Sequence, residues 1–229
     1  MIVLIGGEKG GTGKSTLSVN LAALHASRKK DVLLLDADKQ ASATKWAQIR
    51  MEIKGSPLVR VNSVQKQGKG LTGEVLGLAE RYEDIVIDTG GRDSVELRAA
   101  LVVSDLALFP FQPSQFDMWS AESISELVEM ARGLNPNLRV LVCLTKASTN
   151  PVVREYLDAQ EYLSGFPNLP MTDTIIRDRI SWRRCIPEGR AIFEMPSPDE
   201  KAIVELVQLY RTVFESARDK KVERLALNT

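Results

Sequence analysis

Residues 9–16 read Lys9-Gly10-Gly11-Thr12-Gly13-Lys14-Ser15-Thr16 and follow directly on the apolar run Ile2-Val3-Leu4-Ile5. The order is a short buried strand, a glycine-rich turn, and a helix that begins Leu17-Ser18-Val19. Glycines let consecutive backbone N–H groups turn toward one anion, and a helix N-terminus adds unpaired N–H groups and a positive dipole end. Such a turn cradles phosphate. From within it, Lys14 reaches the β- and γ-phosphates of a nucleotide, and the Ser15 hydroxyl is placed to ligate Mg²⁺. A glycine-rich surface turn would account for the glycines but not for strand, glycines, Lys-Ser and helix in this order. Two features depart from the generic phosphate loop: its usual first glycine would fall at Glu8, and a second cation, Lys9, precedes the glycines.

Working outward, apolar runs alternate with amphipathic segments, which predicts an α/β fold with a mostly parallel sheet flanked by helices. The pattern predicts strands at 2–5, 31–36, 58–62, 84–88, 105–110, 138–145 and 172–176. It predicts helices at 14–29, 41–50, 72–81, 94–103, 117–133, 151–164 and 199–218, with 177–187 readable either way. No repeat, low-complexity linker or shift in composition divides the 229 residues, so one P-loop domain over 1–229 is expected, its tail from about 219 the segment least tied to it. Because the phosphate loop begins so early, no separate DNA-binding module is expected before it. Two of the strands end in acids, Leu35-Asp36-Ala37-Asp38 and Ile87-Asp88-Thr89-Gly90-Gly91. An acid there could be a helix cap, but open α/β sheets bind ligands at the carboxyl ends of their strands. With a phosphate loop in the same sheet, Asp88 reads as the acid that holds Mg²⁺ through water, and Gly90-Gly91 as a switch whose backbone senses the γ-phosphate.

Thirty basic residues balance thirty acidic ones, so any nucleic-acid site must be a local patch. The two cysteines, Cys143 and Cys185, form neither a disulfide framework nor a metal spacing. The chain enters a strand at once without a leader-like segment, and no apolar run reaches the length of a membrane span, so a cytoplasmic protein is expected.

The stretch Lys-Gly-Gly-x-Gly-Lys-Ser/Thr resembles the deviant Walker ATPases of the ParA/MinD group. In that group the early lysine, here Lys9, reaches across a homodimer to the partner's nucleotide. Asp36-Ala37-Asp38 resembles the group's second signature, which implies that Asp38 positions the attacking water and Asp36 supports the metal. The family often continues Asp-Pro-Gln, whereas this chain has Asp38-Lys39-Gln40. Further blocks carry the resemblance to about Glu194. Ser104 to Ser114 looks like the fifth strand and its proline-framed exit, Thr145-Lys146 falls where the family reads adenine, and the Pro187 to Glu194 stretch resembles its second adenine-side loop. The likeness is nearest to the small plasmid partition proteins that lack an N-terminal DNA-binding domain. It implies an ATP- and Mg²⁺-dependent ATPase that dimerises around ATP, binds non-specific DNA on the nucleoid, and is triggered by a centromere-binding adaptor.

The DNA surface expected on charge grounds is Arg177, Arg179, Arg183 and Arg184, four arginines against the single acid Asp178. Some of them could instead pair with acids or help hold nucleotide, and Lys220/Lys221 are the next candidates. A membrane-positioning switch like MinD would need a bulky amphipathic C-terminal helix, and Val222 to Thr229 has little bulk for it. A metal-cluster or anion-pump ATPase would need paired thiols, and no substrate site of a carboxylate-activating synthetase is recognisable. His25, the single histidine, reads as a packed or surface side chain, Trp46, Trp119 and Trp182 as packing residues, and Arg218 to Arg224 as a solvated helix end.

Overall fold

The computed structural model describes residues 1–53, 55, 58–91, 93–113 and 118–215, with residues 118 and 119 described by backbone alone. Six strands form one sheet: β1 (Ile2–Ile5), β2 (Val32–Asp36), β3 (Asn62–Gln65), β4 (Asp84–Asp88), β5 (Leu106–Phe111) and β6 (Arg139–Leu144). Their order is β3-β2-β4-β1-β5-β6, and every pairing is parallel. Parallel strands need crossovers, and helices supply them: α1 (Lys14–Ser27), α2 (Ser42–Glu52), α3 (Leu71–Ala79), α4 (Val95–Val103) and α5 (Met118–Leu134). After β6 come α6 (Glu155–Leu163), the five-residue α7 (Ile180–Arg184) and α8 (Glu200–Tyr210), which runs into a π-helical turn, Arg211–Glu215.

Alternate residues of each strand face opposite layers, so both faces of the sheet are buried. Val3, Ile5, Leu34, Val86 and Leu108 pack under α1, α2 and α8. Leu4, Leu35, Ile87, Phe109 and Val142 pack under α3, α4, α5 and α6. Helix α1 is buried on nearly every side, from Leu17 to Ala26. A helix enclosed that way needs small or apolar residues all round, and Leu17-Ser18-Val19-Asn20-Leu21-Ala22-Ala23-Leu24 supplies them.

Three sequence expectations are corrected. The third strand lies at 62–65 rather than 58–62, because Arg50 donates from Nε and one Nη to the Val59 carbonyl at 2.9 and 2.6 Å and holds that segment out of the sheet. The segment 172–176 is no continuous strand. It meets β6 through isolated bonds, Thr172 N–H to Val142 O at 2.8 Å and Ile176 N–H to Leu144 O at 2.9 Å, while the Thr172 hydroxyl turns back to the Thr174 carbonyl. The sixth helix begins at Glu155 rather than 151, because the Asn150 carboxamide accepts from Val152 N–H and forms a turn. Ambiguous 177–187 contains α7. The expected end of the last helix at 216–218, the tail beyond 219 with Lys220/Lys221 and Arg218 to Arg224, residue Ser114, the first residue of the 117–133 helix and the Trp119 side chain lie outside the described residues.

Candidate functional site

The register of the sheet builds the site. Ile5 at the end of β1 is level with Asp88 at the end of β4, and Asp88 is level with Asp36 at the end of β2. One rung therefore carries two buried carboxylates beside the strand that enters the phosphate loop. Gly13 closes that loop in the left-handed region (φ 95°) as the residue before α1, and Gly11 is left-handed too (φ 80°). The loop is clamped from across the sheet. Gln112, just beyond β5, donates to the Gly11 carbonyl, and the Thr145 hydroxyl, just beyond β6, donates to the Thr12 carbonyl at 2.8 Å. Lys14 folds back to donate to the Lys9 carbonyl, and Lys9 itself is half-buried. Burial pulls the Lys14 ammonium below its ordinary range, and the nearby charges of Asp88 and Asp38 oppose that pull.

Asp88 is wholly buried, which pushes its carboxyl up to about 7; the Ser15 and Ser18 hydroxyls and Lys14 favour its ionised form, while the Asp36 charge works against it. Ser18 lies one turn into α1, 3.0 Å from Asp88 Oδ1 and 2.9 Å from the Lys14 carbonyl. Asp88 Oδ2 meets no hydrogen-bond donor. A buried, orphaned carboxylate oxygen beside the Ser15 hydroxyl fits a hard divalent cation that keeps most of its waters, as Mg²⁺ does. Asp36 spends its two oxygens on backbone donors, Oδ1 on Asp38 N–H at 3.0 Å and Oδ2 on Thr44 N–H at 2.7 Å. It thereby shapes the loop that carries Asp38 and caps α2, whose own N-cap, Ala41, has no side-chain oxygen to offer.

The two switch glycines face the loop. A methyl on Gly91 would stand 2.6 Å from the Gly10 nitrogen and 2.8 Å from the Lys9 carbonyl carbon. One on Gly90 would stand 3.2 Å from Asp38 Oδ1. A side chain at Gly91 would thus collide with the phosphate loop, and one at Gly90 would crowd the Asp38 carboxylate.

Beside the loop lies a cleft lined by Thr12, Gly13, Thr16, Thr145, Lys146 and Trp182, with Ile176 to Asp178 and Arg183 completing the wall. Thr145 and Lys146 both line it, and Lys146 adopts a left-handed conformation (φ 52°). Pro187 is exposed on the turn after α7 and is not part of this wall. The four arginines differ. Arg177 donates to the Ser148 carbonyl at 2.9 Å and lies over the Tyr156 ring, and Arg179 pairs with Glu205 at 2.8 Å. Arg183 and Arg184 are exposed.

Sequence reasoning missed Gln112, Ser18, Arg50 and the cleft-lining role of Trp182. Ser18 carried a usable signal, since position i+4 from Lys14 must face the same side of α1. Arg50 bonds at 2.6–2.7 Å to both oxygens of Glu194, a partner that no local pattern reveals.

A glycine loop entering a helix, a lysine folded over it and an orphaned acid on the adjacent strand define a P-loop nucleotide-binding protein. Residues 3–191 match the family model for the CobQ/CobB/MinD/ParA nucleotide binding domain. The chain is 35% identical over 194 residues to the maintenance of carboxysome distribution protein A of Gloeobacter kilaueensis, covering 84% of each chain. It is 29% identical over 185 residues to the chromosome-partitioning ATPase Soj of Thermus thermophilus, covering 69% of this chain and 74% of that one. Its fold is shared with the septum site-determining protein MinD of Pyrococcus horikoshii, solved with Mg-ADP, at a TM-score of 0.73 and 17% identity over 94% of this chain and 96% of that one. The chain belongs to the CobQ/CobB/MinD/ParA family, in its ParA/MinD branch of P-loop ATPases. Among the described residues no helix is long and apolar enough to cross a membrane.

Proposed function

We propose that this protein is an ATP-hydrolysing switch that dimerises around ATP, binds DNA without sequence preference in that state, and partitions DNA when a centromere-binding adaptor triggers hydrolysis. The observation that carries the reading is the convergence of the phosphate loop, the Asp36–Asp88 rung and the Asp38–Gly90 contact on one point above the sheet. Gly10 to Thr16 surround the phosphates with backbone N–H groups, and Lys14 leaves the Lys9 carbonyl to meet the β- and γ-oxygens. Ser15 and Asp88 would hold Mg²⁺, which would supply positive charge at those oxygens, while Asp36, the acid read as supporting the metal, shapes the loop that carries Asp38. Asp38 orients the attacking water and accepts its proton, and Lys9 of each protomer neutralises charge on the partner's nucleotide. Gly90 and Gly91, wedged between Asp38 and the loop, register whether the γ-phosphate is present. Thr145 and Lys146 serve the base side, whereas Pro187, outside the cleft wall, is given no part in it. The protein acts in the cytoplasm, on the nucleoid.

A second reading concerns the cargo. Two curated relatives are named for maintaining carboxysome distribution, which supports a protein body in place of DNA as the thing positioned. The switch chemistry is the same in both. Light scattering after gel filtration should give a monomer without nucleotide and a dimer with a non-hydrolysable ATP analogue and Mg²⁺. The wild type should also release phosphate from ATP. A mass independent of nucleotide, or no phosphate release with adaptor and DNA present, overturns the switch.

A further inference from the structure

We propose that the indole N–H of Trp182 reads the purine ring of the bound nucleotide, making Trp182 a specificity-determining residue; this rests on the nucleotide reading above. Helix α7 puts Trp182 inward, 6% exposed, and Arg183 and Arg184 outward. Trp182 forms part of the cleft wall, and its Nε1 is buried without a hydrogen-bond partner. The contrast within the molecule is direct, because Trp46, also buried, donates from Nε1 to the Arg190 carbonyl at 3.0 Å. Buried tryptophan N–H groups normally find an acceptor, and leaving one unpaired is costly.

Indole nitrogen is a donor only, so whatever satisfies it must accept. Among the charged side chains of the wall, Lys146, Arg177 and Arg183 only donate, and the one acid, Asp178, lies 3.9 Å from Arg183 and does not bond the indole. Purine ring nitrogens are acceptors, and the buried Leu17 and Ile176 side chains in the same wall suit the faces of a flat ring. A second orphan in the wall, the Thr12 hydroxyl, sits at the loop end of the cleft. Both orphans therefore belong to residues that wall the space between phosphate loop and α7, the space we assign to the nucleoside of a nucleotide held by Gly10 to Thr16. Because α7 also carries the exposed arginines, a base seated against Trp182 fixes the helix that presents them.

The test is calorimetric binding of ADP and of pyrophosphate to wild type and Trp182→Phe. Both ligands avoid turnover, and phenylalanine keeps an aromatic face while removing the donor. ADP affinity should fall about five- to tenfold with pyrophosphate affinity unchanged. Among 1-, 3- and 7-deaza-ADP, the analogue lacking the read nitrogen should lose a similar factor in wild type and nothing further in the variant. A variant that binds ADP as wild type does, or that loses pyrophosphate equally, overturns the proposal. Should the variant fail to fold, the Trp182 indole N–H resonance of wild type decides: it should shift with ADP and stay in place with pyrophosphate, and a resonance indifferent to ADP overturns the proposal. Wild type that binds pyrophosphate but gains nothing from the nucleoside overturns the base contact and leaves the phosphate loop standing. Binding of neither ligand overturns the nucleotide reading itself.

Discussion

Gly91 has no side chain because the phosphate loop leaves no room for one. A methyl there would press on Gly10 N and Lys9 C, backbone atoms that cannot swing aside as a side-chain tip can. Gly91→Ala should therefore displace the loop and weaken ADP binding at least about tenfold, a shift of ~1.4 kcal/mol, with thermal unfolding of the ligand-free protein little changed; calorimetry checks the first and a melting curve the second. Asp38 tests a different step. Its Oδ1 accepts from Gln40 N–H at 3.0 Å, so the carboxylate is held over the switch rather than on the loop. Asp38→Ala should bind ATP yet hydrolyse it at least about tenfold more slowly, and the ATP dimer should accumulate in gel filtration. These residues were legible in the sequence because phosphate geometry dictates their spacing: glycines, lysine and serine are contiguous, and the acids end strands. Gln112 and Trp182 were not, since their partners lie far away in the chain. Gln112 meets Gly11 only after β1 and β5 pair, and Trp182 meets the loop only after α7 folds over α1.

Helix α2 connects both ends of the site. Its first turn hangs on Asp36 through Thr44 N–H, and its last turn carries Arg50, which is buried with Glu194 and also donates to the Val59 and Gly189 carbonyls. Gly189 must be glycine, being left-handed (φ 61°) with the Arg50 nitrogen 2.6 Å from where a methyl would stand. The 187–194 segment is thus tied to the same helix that leaves the Asp38 loop. Removing one member of a buried ion pair strands the other's charge, so Arg50→Ala should cost about 3–5 kcal/mol of stability. Changing Arg50 to Met and Glu194 to Leu together should recover much of it; urea unfolding of the two variants against wild type measures both. The same interaction explains where element boundaries were misread. The apolar residues at 58–61 look like a strand, but Arg50 takes the carbonyl that a ladder would have used, and pairing starts at Asn62. The central strands were legible because they are apolar on both faces, and β2 and β4 also terminate in acids. Edge segments such as 172–176 are governed by bonds to a single neighbour, and periodicity alone cannot place those.

Across the whole molecule, the end of the sheet opposite the loop holds a separate charged cluster. His25 Nε2 lies 2.7 Å from Asp84, His25 Nδ1 lies 2.9 Å from the Tyr210 hydroxyl, and the Met1 ammonium lies 3.1 Å from Asp84. Burial alone would raise Asp84, but the His25 bond and that ammonium outweigh it and bring the carboxyl down to about 2 from its ordinary 3.8. A depressed acid stabilises the fold above its unfolded pKa and loses that contribution as pH falls through the folded one. The cluster should therefore contribute fully above about pH 4 and fade toward pH 2, by roughly 2 kcal/mol. Urea unfolding of wild type and Asp84→Asn should differ most near neutrality and converge as pH falls toward 2. Two further measurements test the proposed ATP dimer. Lys9→Ala should lose the analogue-driven dimer and keep monomeric ADP binding, as light scattering and calorimetry would show. The proposed DNA binding would follow from that dimer. The chain is electrically neutral, with thirty cations and thirty anions, so attraction to DNA has to come from a strip. Of the four arginines there, Arg179 is neutralised by Glu205 and Arg177 is engaged with Ser148 and Tyr156, which leaves on the surface Arg184 and Arg183, the latter 3.9 Å from the exposed Asp178. Two such groups on one protomer bind weakly, and two protomers joined by ATP present four at raised effective concentration. Four phosphate contacts predict a slope of about −3.6 for log affinity against log salt. Arg184→Ala, which removes one contact per protomer at a residue outside the base cleft, should make that slope shallower by about 2 while the analogue-driven dimer still forms. Fluorescence anisotropy of a random duplex across a salt series reads the slope; a variant with the wild-type slope would move the DNA surface away from α7.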